Sequence, residues 1–106
     1  MHDYLLRYLP QFHEDLKSVV FYISTKLNNS QAAYELVDAV EEAILERQDK
    51  AEAFEQYTSG KERKHPYYRI YVKNYIVFYV VVSEKGQKVM EVRRFLYGKS
   101  NWRKSL

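Results

Sequence analysis

The sequence predicts an α+β domain, an antiparallel sheet packed against a helix hairpin, in the order β-α-α-β-β-β. Three observations lead there. Apolar residues recur every three to four positions over two neighbouring stretches between Phe12 and Ile44, which is the period of amphipathic helices. Near the start, around Tyr68–Val72 and again over Lys88–Tyr97, apolar residues recur at every second position, the period of strands. Between the last two of these lies YIVFYVVV, Tyr75–Val82, apolar on both faces and so suited to the centre of a sheet.

The elements follow in order. His2–Leu9 alternates, with Tyr4, Leu6 and Tyr8 on one side and Leu5, Arg7 and Leu9 on the other. Pro10 breaks that strand and suits the first turn of a helix, where its missing N–H costs nothing. From Gln11, the residues Phe12, Leu16, Val19/Val20, Ile23 and Leu27 form one apolar stripe. Asn28-Asn29 ends this helix, and Ser30 is a candidate N-cap for the next. In the second helix Ala33, Leu36/Val37, Val40 and Ile44 form the stripe, and Glu35, Asp38, Glu41, Glu42 and Glu46 cover the other faces. Two helices joined by a short polar link pack as an antiparallel hairpin.

The stretch Ala51–Tyr68 has no clear period and contains Gly60 and Pro66, so it reads as a loop. Tyr68, Ile70 and Val72 then alternate with Arg69, Tyr71 and Lys73, and a turn at Lys73-Asn74 leads into Tyr75–Val82. The next turn is SEKGQ, where Gly86 permits a positive φ. In the last strand, Lys88–Tyr97, strict alternation puts Met90, Val92, Arg94 and Leu96 on one face. Val89, Glu91, Arg93, Phe95 and Tyr97 take the other. On this reading Arg93 and Arg94 point to opposite faces. The sheet face away from the helices is partly open and carries Arg69, Tyr71, Lys73 and some of Arg93, Arg94 and Tyr97.

A chain of 106 residues is expected to be one domain spanning 1–106. It has no cysteine, so neither a disulfide framework nor a thiolate metal site is available. His2, His13 and His65 are scattered without ligand spacing, and no P-loop, GxSxG or HExxH pattern occurs. Neither a metal nor any other cofactor is expected. The N-terminus lacks the basic-then-apolar pattern of a signal peptide. An apolar run of eight residues is too short to cross a bilayer, so the chain is expected to be cytoplasmic with no membrane partner.

Charge is divided unevenly. Residues 1–59 hold 5 Lys/Arg and 11 Asp/Glu, while residues 60–106 hold 12 Lys/Arg and 3 Asp/Glu. The basic half suits an acidic partner or nucleic acid, and Lys61-Glu62-Arg63-Lys64 reads either as a solvated loop or as a phosphate-contacting patch. The chain closes with EVRRFLYGKSNWRKSL, a basic ending that holds its only tryptophan. Trp102 either folds back to cap the core or stands exposed as an anchor for a partner. On the helix hairpin, Phe12, Phe21 and Tyr22 exceed what one helix face needs, which leaves apolar surface for a partner helix.

The order of elements, with YYRIYV, YIVFYVVV and VRRFLYG as its strands, resembles the RelE/ParE toxins of bacterial type II toxin–antitoxin systems. The resemblance covers nearly the whole chain. It implies a cytoplasmic toxin that acts in plasmid stabilisation and growth arrest. A cognate antitoxin would hold it inactive through an acidic, partly helical segment, with a hetero-oligomer on operator DNA as a further expectation.

The family divides by mechanism. Its RelE- and YoeB-like members are ribosome-dependent endoribonucleases that cut mRNA, and its ParE-like members inhibit DNA gyrase. Ribonuclease patterns such as "YRLVY" place an arginine where this chain has Ile76, and "RYHY" places a histidine where it has Leu96. RNA cleavage needs a base for the 2′-hydroxyl, an acid for the leaving oxygen and cations for the phosphorane. Arg69, Arg94 and Tyr97 are the candidate catalytic set if the chain is a ribonuclease. The missing base has only His65 and Glu62 as substitutes. The ending FLYGKSNWRKSL resembles ParE-like endings through Gly98, Lys99, Asn101 and Trp102. A gyrase inhibitor is therefore the first expectation. A ribosome-dependent ribonuclease, or a non-toxic relative acting with its antitoxin in operator regulation, is the alternative. Candidate target- or antitoxin-binding residues are Arg93, Arg94, Tyr97, Lys99, Trp102, Arg103 and Lys104.

Overall fold

Pro10 opens the first helix and the strands begin and end at turn residues. The computed structural model describes residues 3–57 and 64–106. Strand β1 is Leu5–Tyr8, helix α1 is Pro10–Phe21 and helix α2 is Ser30–Arg47. Strands β2 (Gln56–Tyr57), β3 (Tyr67–Val72), β4 (Tyr75–Glu84) and β5 (Gln87–Tyr97) follow, and a 3-10 turn, Trp102–Ser105, closes the chain. The expected positions of His2, Gly60, Lys61, Glu62 and Arg63 lie outside the described residues.

The α+β class and the helix hairpin agree with the sequence, with local corrections. The cap of α2 is Asn29, whose Oδ1 accepts from the Ala32 N–H, while Ser30 is already the first helical residue. The end of α1 widens into a π-turn over Tyr22–Lys26. Ser24 and Thr25 donate their hydroxyls back to the carbonyls of Val20 and Phe21, a competition with the helical ladder that loosens helix ends. The expected loop Ala51–Tyr68 contains strand β2 and the first residues of β3, paired as Gln56↔Tyr68 and Tyr57↔Tyr67.

The sheet order is β1-β5-β4-β3-β2. Strands β2 to β5 are antiparallel, but β1 runs parallel to β5, so the sheet is mixed rather than wholly antiparallel. The cause is connectivity: the helix hairpin and the β2–β4 segment separate β1 from β5, and no tight turn dictates their direction. Between β4 and β5, Lys85 (φ 52°) and Gly86 (φ 77°) form the two-residue turn, both in the left-handed region, as a hairpin matching strand twist requires.

The most consequential departure is a β-bulge. Phe78 pairs with Arg94, but its neighbour Tyr79 pairs with Val92, so Arg93 is the extra residue. The bulge resets the alternation of β5. Phe95 joins Met90 and Val92 in the core beneath the helices, with Phe12, Leu36, Val40, Ile44 and Tyr79. Leu96 joins Val89 on the opposite face. The strict two-face assignment from sequence therefore fails beyond Val92.

That opposite face is covered at its centre, while Tyr71 on β3 stays exposed, so it is open only in part, as expected. Ile76, Phe78, Val80 and Val82 of β4 form a second core there with Tyr67, Val89 and Trp102. The two layers of apolar side chains explain why β4 is apolar on both faces. Among the described residues, no helix is long and apolar enough to cross a membrane.

Candidate functional site

The far face of the sheet gathers most of the residues singled out by the sequence. Its centre is Phe78, with Trp102 laid over it at a ring-centroid distance of 5.0 Å. The turn that brings the tail back starts at Gly98, whose N–H donates to the Asn74 carbonyl at 2.8 Å. A β-carbon at Gly98 would sit 3.2 Å from that same oxygen, so glycine suits this close approach. Trp102 is only 4% exposed. Of the two expectations for it, folding back onto the core is the one observed, and it is not an exposed anchor.

The two positions where the ribonuclease patterns place an arginine and a histidine, Ile76 and Leu96, are cross-strand partners. Both belong to the apolar layer under Trp102. Neither side chain can transfer a proton or neutralise a phosphorane.

The conditional catalytic set does not converge. Arg69 and Arg94 both pair with Phe78, from β3 and β5, so both rise on the far face on either side of Trp102. Tyr97 pairs with Tyr75, which packs against the helix-side core and stacks on Phe95 at 5.0 Å. Tyr97 is thus on the helix side of the sheet, 43% exposed at its end. His65 is half-buried and Lys64 is exposed.

Arg94 is occupied. Its Nε and Nη2 donate to the two oxygens of Asp15, at 2.8 and 3.1 Å, and its Nη1 donates to the Ser105 carbonyl at 2.9 Å. Asp15 also accepts from the Phe95 N–H at 3.0 Å. At this point β5 has outrun β1 and its edge is unpaired, so the Asp15 side chain takes the place of a neighbouring strand. Burial pushes the Asp15 carboxyl up. The donors from Arg94, Phe95 and Gln11 outweigh that and hold it below the usual carboxylate range.

Arg93 is also occupied. Its Nε donates to Glu91 at 2.7 Å, and Arg7 binds the other Glu91 oxygen and Glu84. Burial pushes Glu91 up, but the two guanidinium groups hold it low. Because of the bulge, Arg93 and Arg94 do not diverge to opposite faces. Arg93 meets Glu91 on the far face, and Arg94 stands opposite Phe78 on that face before reaching round the edge to α1.

Arg69 and Arg103 differ from these. Their guanidinium carbons lie 5.6 and 5.9 Å from the centroid of the Tyr57 ring, and Arg103 is 4.3 Å from the Trp102 ring. Among the described residues neither forms an ion pair. With exposed Tyr71, Lys99 and Lys104 they give this side of the sheet cationic groups held on aromatic rings. Tyr57 was hidden from the sequence reading inside the unassigned loop. Asp15 left a clearer signal, a carboxylate beside the apolar stripe of α1.

Among the described residues no group of three or more His, Asp or Glu side chains is placed to hold a metal ion. Among the described residues the arrangement offers cation, stacking and hydrogen-bond contacts to a partner.

Residues 6–102 match the family model described as ParE toxin of type II toxin-antitoxin system, parDE. No curated protein matches the chain.

Proposed function

The chain belongs to the ParE toxin family of type II toxin–antitoxin systems, and on that premise we propose that it acts by binding a protein target, DNA gyrase, rather than by cutting RNA. Membership implies a cognate antitoxin as its partner. One observation carries the choice of mechanism. The two positions at which a ribonuclease of this layout would place its arginine and histidine are the buried Ile76 and its partly buried cross-strand partner Leu96, in the apolar layer with Trp102. Among the described residues Arg69 forms no ion pair, the Asp15 carboxylate beside Arg94 is tied up and held low by its donors, and Tyr97 projects from the other face. The contact groups of the proposed toxin are the half-buried Arg69 and the exposed cations Lys99, Arg103 and Lys104.

The test is induced expression of the chain without antitoxin, with growth and mRNA integrity followed together, and gyrase supercoiling assayed with purified protein. Growth arrest with intact mRNA and inhibited supercoiling is the expected result. Fragmented mRNA at the onset of arrest would overturn it. Arg69 and Arg103 beside the Tyr57 ring favour a second reading in one respect, since such a surface also suits RNA backbone and bases. Arrest with fragmented mRNA is the outcome that would select it. Normal growth would leave a non-toxic partner of the antitoxin.

A further inference from the structure

The helix hairpin carries an open apolar groove that the far-face site does not use. It runs between α1 and α2. One end is lined by Val20, Ala33, Tyr34 and Val37, and encloses about 340 Å³. The other, lined by Tyr8, Leu16, Val37, Ile44 and Leu45, encloses about 460 Å³. Val37 lines both, so the groove runs from one hollow to the next along α2. From Ser30 to Leu45 it spans about 22 Å at 1.5 Å per residue, the length of a four-turn helix. Phe12, expected to be surplus, is buried against Tyr8 and Phe95. The uncovered apolar residues that line the groove are Tyr34 and Leu45.

The α2 side of the rim is acidic. Glu41 stands inside the groove, and Asp38, Glu42 and Glu46 share the adjoining surface of α2 with it. Among the described residues, none of these four carboxylates forms an ion pair. On the α1 side Lys17 is the one ammonium near the rim, beside an exposed His13. An acidic helix laid here would meet the Glu41 carboxylate directly and the like charges of Asp38, Glu42 and Glu46 from the adjoining surface, which is repulsive.

We propose that the α1–α2 groove takes an amphipathic helix whose flanks are basic, so that the partner segment at this surface is cationic rather than acidic. For the identity of the natural occupant this rests on the antitoxin reading above, and an acidic antitoxin segment then belongs elsewhere on the chain. The groove supplies the apolar seat, by helix-in-groove packing, and the carboxylates select the charge. Whole-molecule charge acts against this preference. The chain carries a formal net charge of +3, so unspecific attraction favours an acidic peptide, and a preference for a basic one reports the groove.

The experiment uses two 16-residue designed peptides with the same leucine stripe, one flanked by lysines and one by glutamates. Binding to the full chain is read by fluorescence anisotropy at low and at moderate salt. Surface ion pairs contribute a few-fold each at most, so the expected preference for the lysine peptide is about tenfold, shrinking as salt shortens the Debye length to about 8–10 Å. The quadruple variant Asp38→Asn, Glu41→Gln, Glu42→Gln, Glu46→Gln should abolish it. Tyr34→Ser with Leu45→Ser, at two exposed positions, should weaken both peptides. Equal affinity, a preference for the glutamate peptide, or no binding of either overturns the proposal. So does a dimer in sedimentation that the Tyr34/Leu45 variant dissolves, because a second copy would then fill the groove. Growth arrest is scored separately. Lysine preference without arrest upholds the groove and sinks the toxin reading, and arrest without lysine preference does the reverse.

Discussion

Replacing Trp102 by alanine tests whether the tail is part of the core. The indole is 4% exposed, with ring centroids 5.0 Å from Phe78 and 5.2 Å from Tyr57. A buried aromatic of this kind removes about 150–250 Å² from water. At about 25 cal/mol per Å² that is roughly 4–6 kcal/mol, an upper bound. Losing the ring also loosens the tail, but Arg94 still holds the Ser105 carbonyl, so about two residues are freed and recover about 1 kcal/mol of chain entropy each. The expected net loss is about 2–3 kcal/mol, or a fall in Tm of about 4–8 °C per kcal/mol in a domain of this size. Urea unfolding followed by circular dichroism gives the number, and Trp102→Phe should retain more than half of the stability. The wild-type chain offers an independent reading, since it has a single tryptophan. Its emission should be blue-shifted when folded and poorly quenched by iodide. A loss below about 0.5 kcal/mol, on the scale of an ordinary surface substitution, or an indole quenched as fully as in the unfolded chain, would refute the reasoning.

Tyr79 is fully buried, and its hydroxyl donates to the Ala51 carbonyl at 2.6 Å and accepts from Arg47 at 2.9 Å. Tyr79→Phe leaves both partners short of a bond and should cost about 1–3 kcal/mol in chemical denaturation. Asp15 and Glu91 are both held low by their guanidinium partners despite burial. A depressed carboxyl stabilises fully above its unfolded value near 4 and loses that contribution as pH falls through the folded value. Thermal melts should therefore hold steady above about pH 5 and drop below about pH 4, and Asp15→Asn should lower stability at pH 7 while flattening the acid decline. Replacing Lys99, Arg103 and Lys104 together by glutamine removes exposed charge and should leave Tm within a few degrees. On the proposed function it should relieve growth arrest in cells expressing the chain without antitoxin, and full arrest would remove the tail from the target surface.

The helices and the meander were legible because their signals are periodic and local: the stripe from Phe12 to Ile23, the stripe from Ala33 to Ile44, and alternation over Tyr68–Val72. The bulge at Arg93 was not, because a bulge of this kind needs no special residue. One inserted position in EVRRFLY leaves the composition of a strand unchanged while turning Phe95 and Leu96 over. Strand β2 is two residues long, below the length at which alternation can be seen. The parallel partner of β1 depends on contacts distant in sequence. The covered far face, by contrast, was recoverable. A strand apolar on both sides requires apolar cover on both. Once the helices are assigned to one face, Trp102 and Leu106 are the large apolar residues left in the tail for the other. Lys99, Arg103 and Lys104 around them are what left Trp102 open between capping the core and standing exposed as an anchor.

The tail divides its work by residue, and this decides how its mutants must be interpreted. Trp102 points inward, while Lys99, Arg103 and Lys104 stay exposed. Arg94 pins the far end through the Ser105 carbonyl. A truncation after Gly98 would remove the cations and also strip the cover from Phe78, so lost toxicity could come from unfolding alone. Charge-neutral substitutions at the three exposed positions separate the two causes, since they change what a partner meets and leave the indole in place. Loss of function that tracks Tm would make Trp102 a scaffold for the cations. Loss without a change in Tm would make the cations the contact itself. The same separation applies to Arg94: its ion pair with Asp15 ties α1, the free edge of β5 and the tail together. A stability loss on Arg94→Ala that Asp15→Ala already produces, with no further loss in the double variant, would identify it as a clamp of the fold.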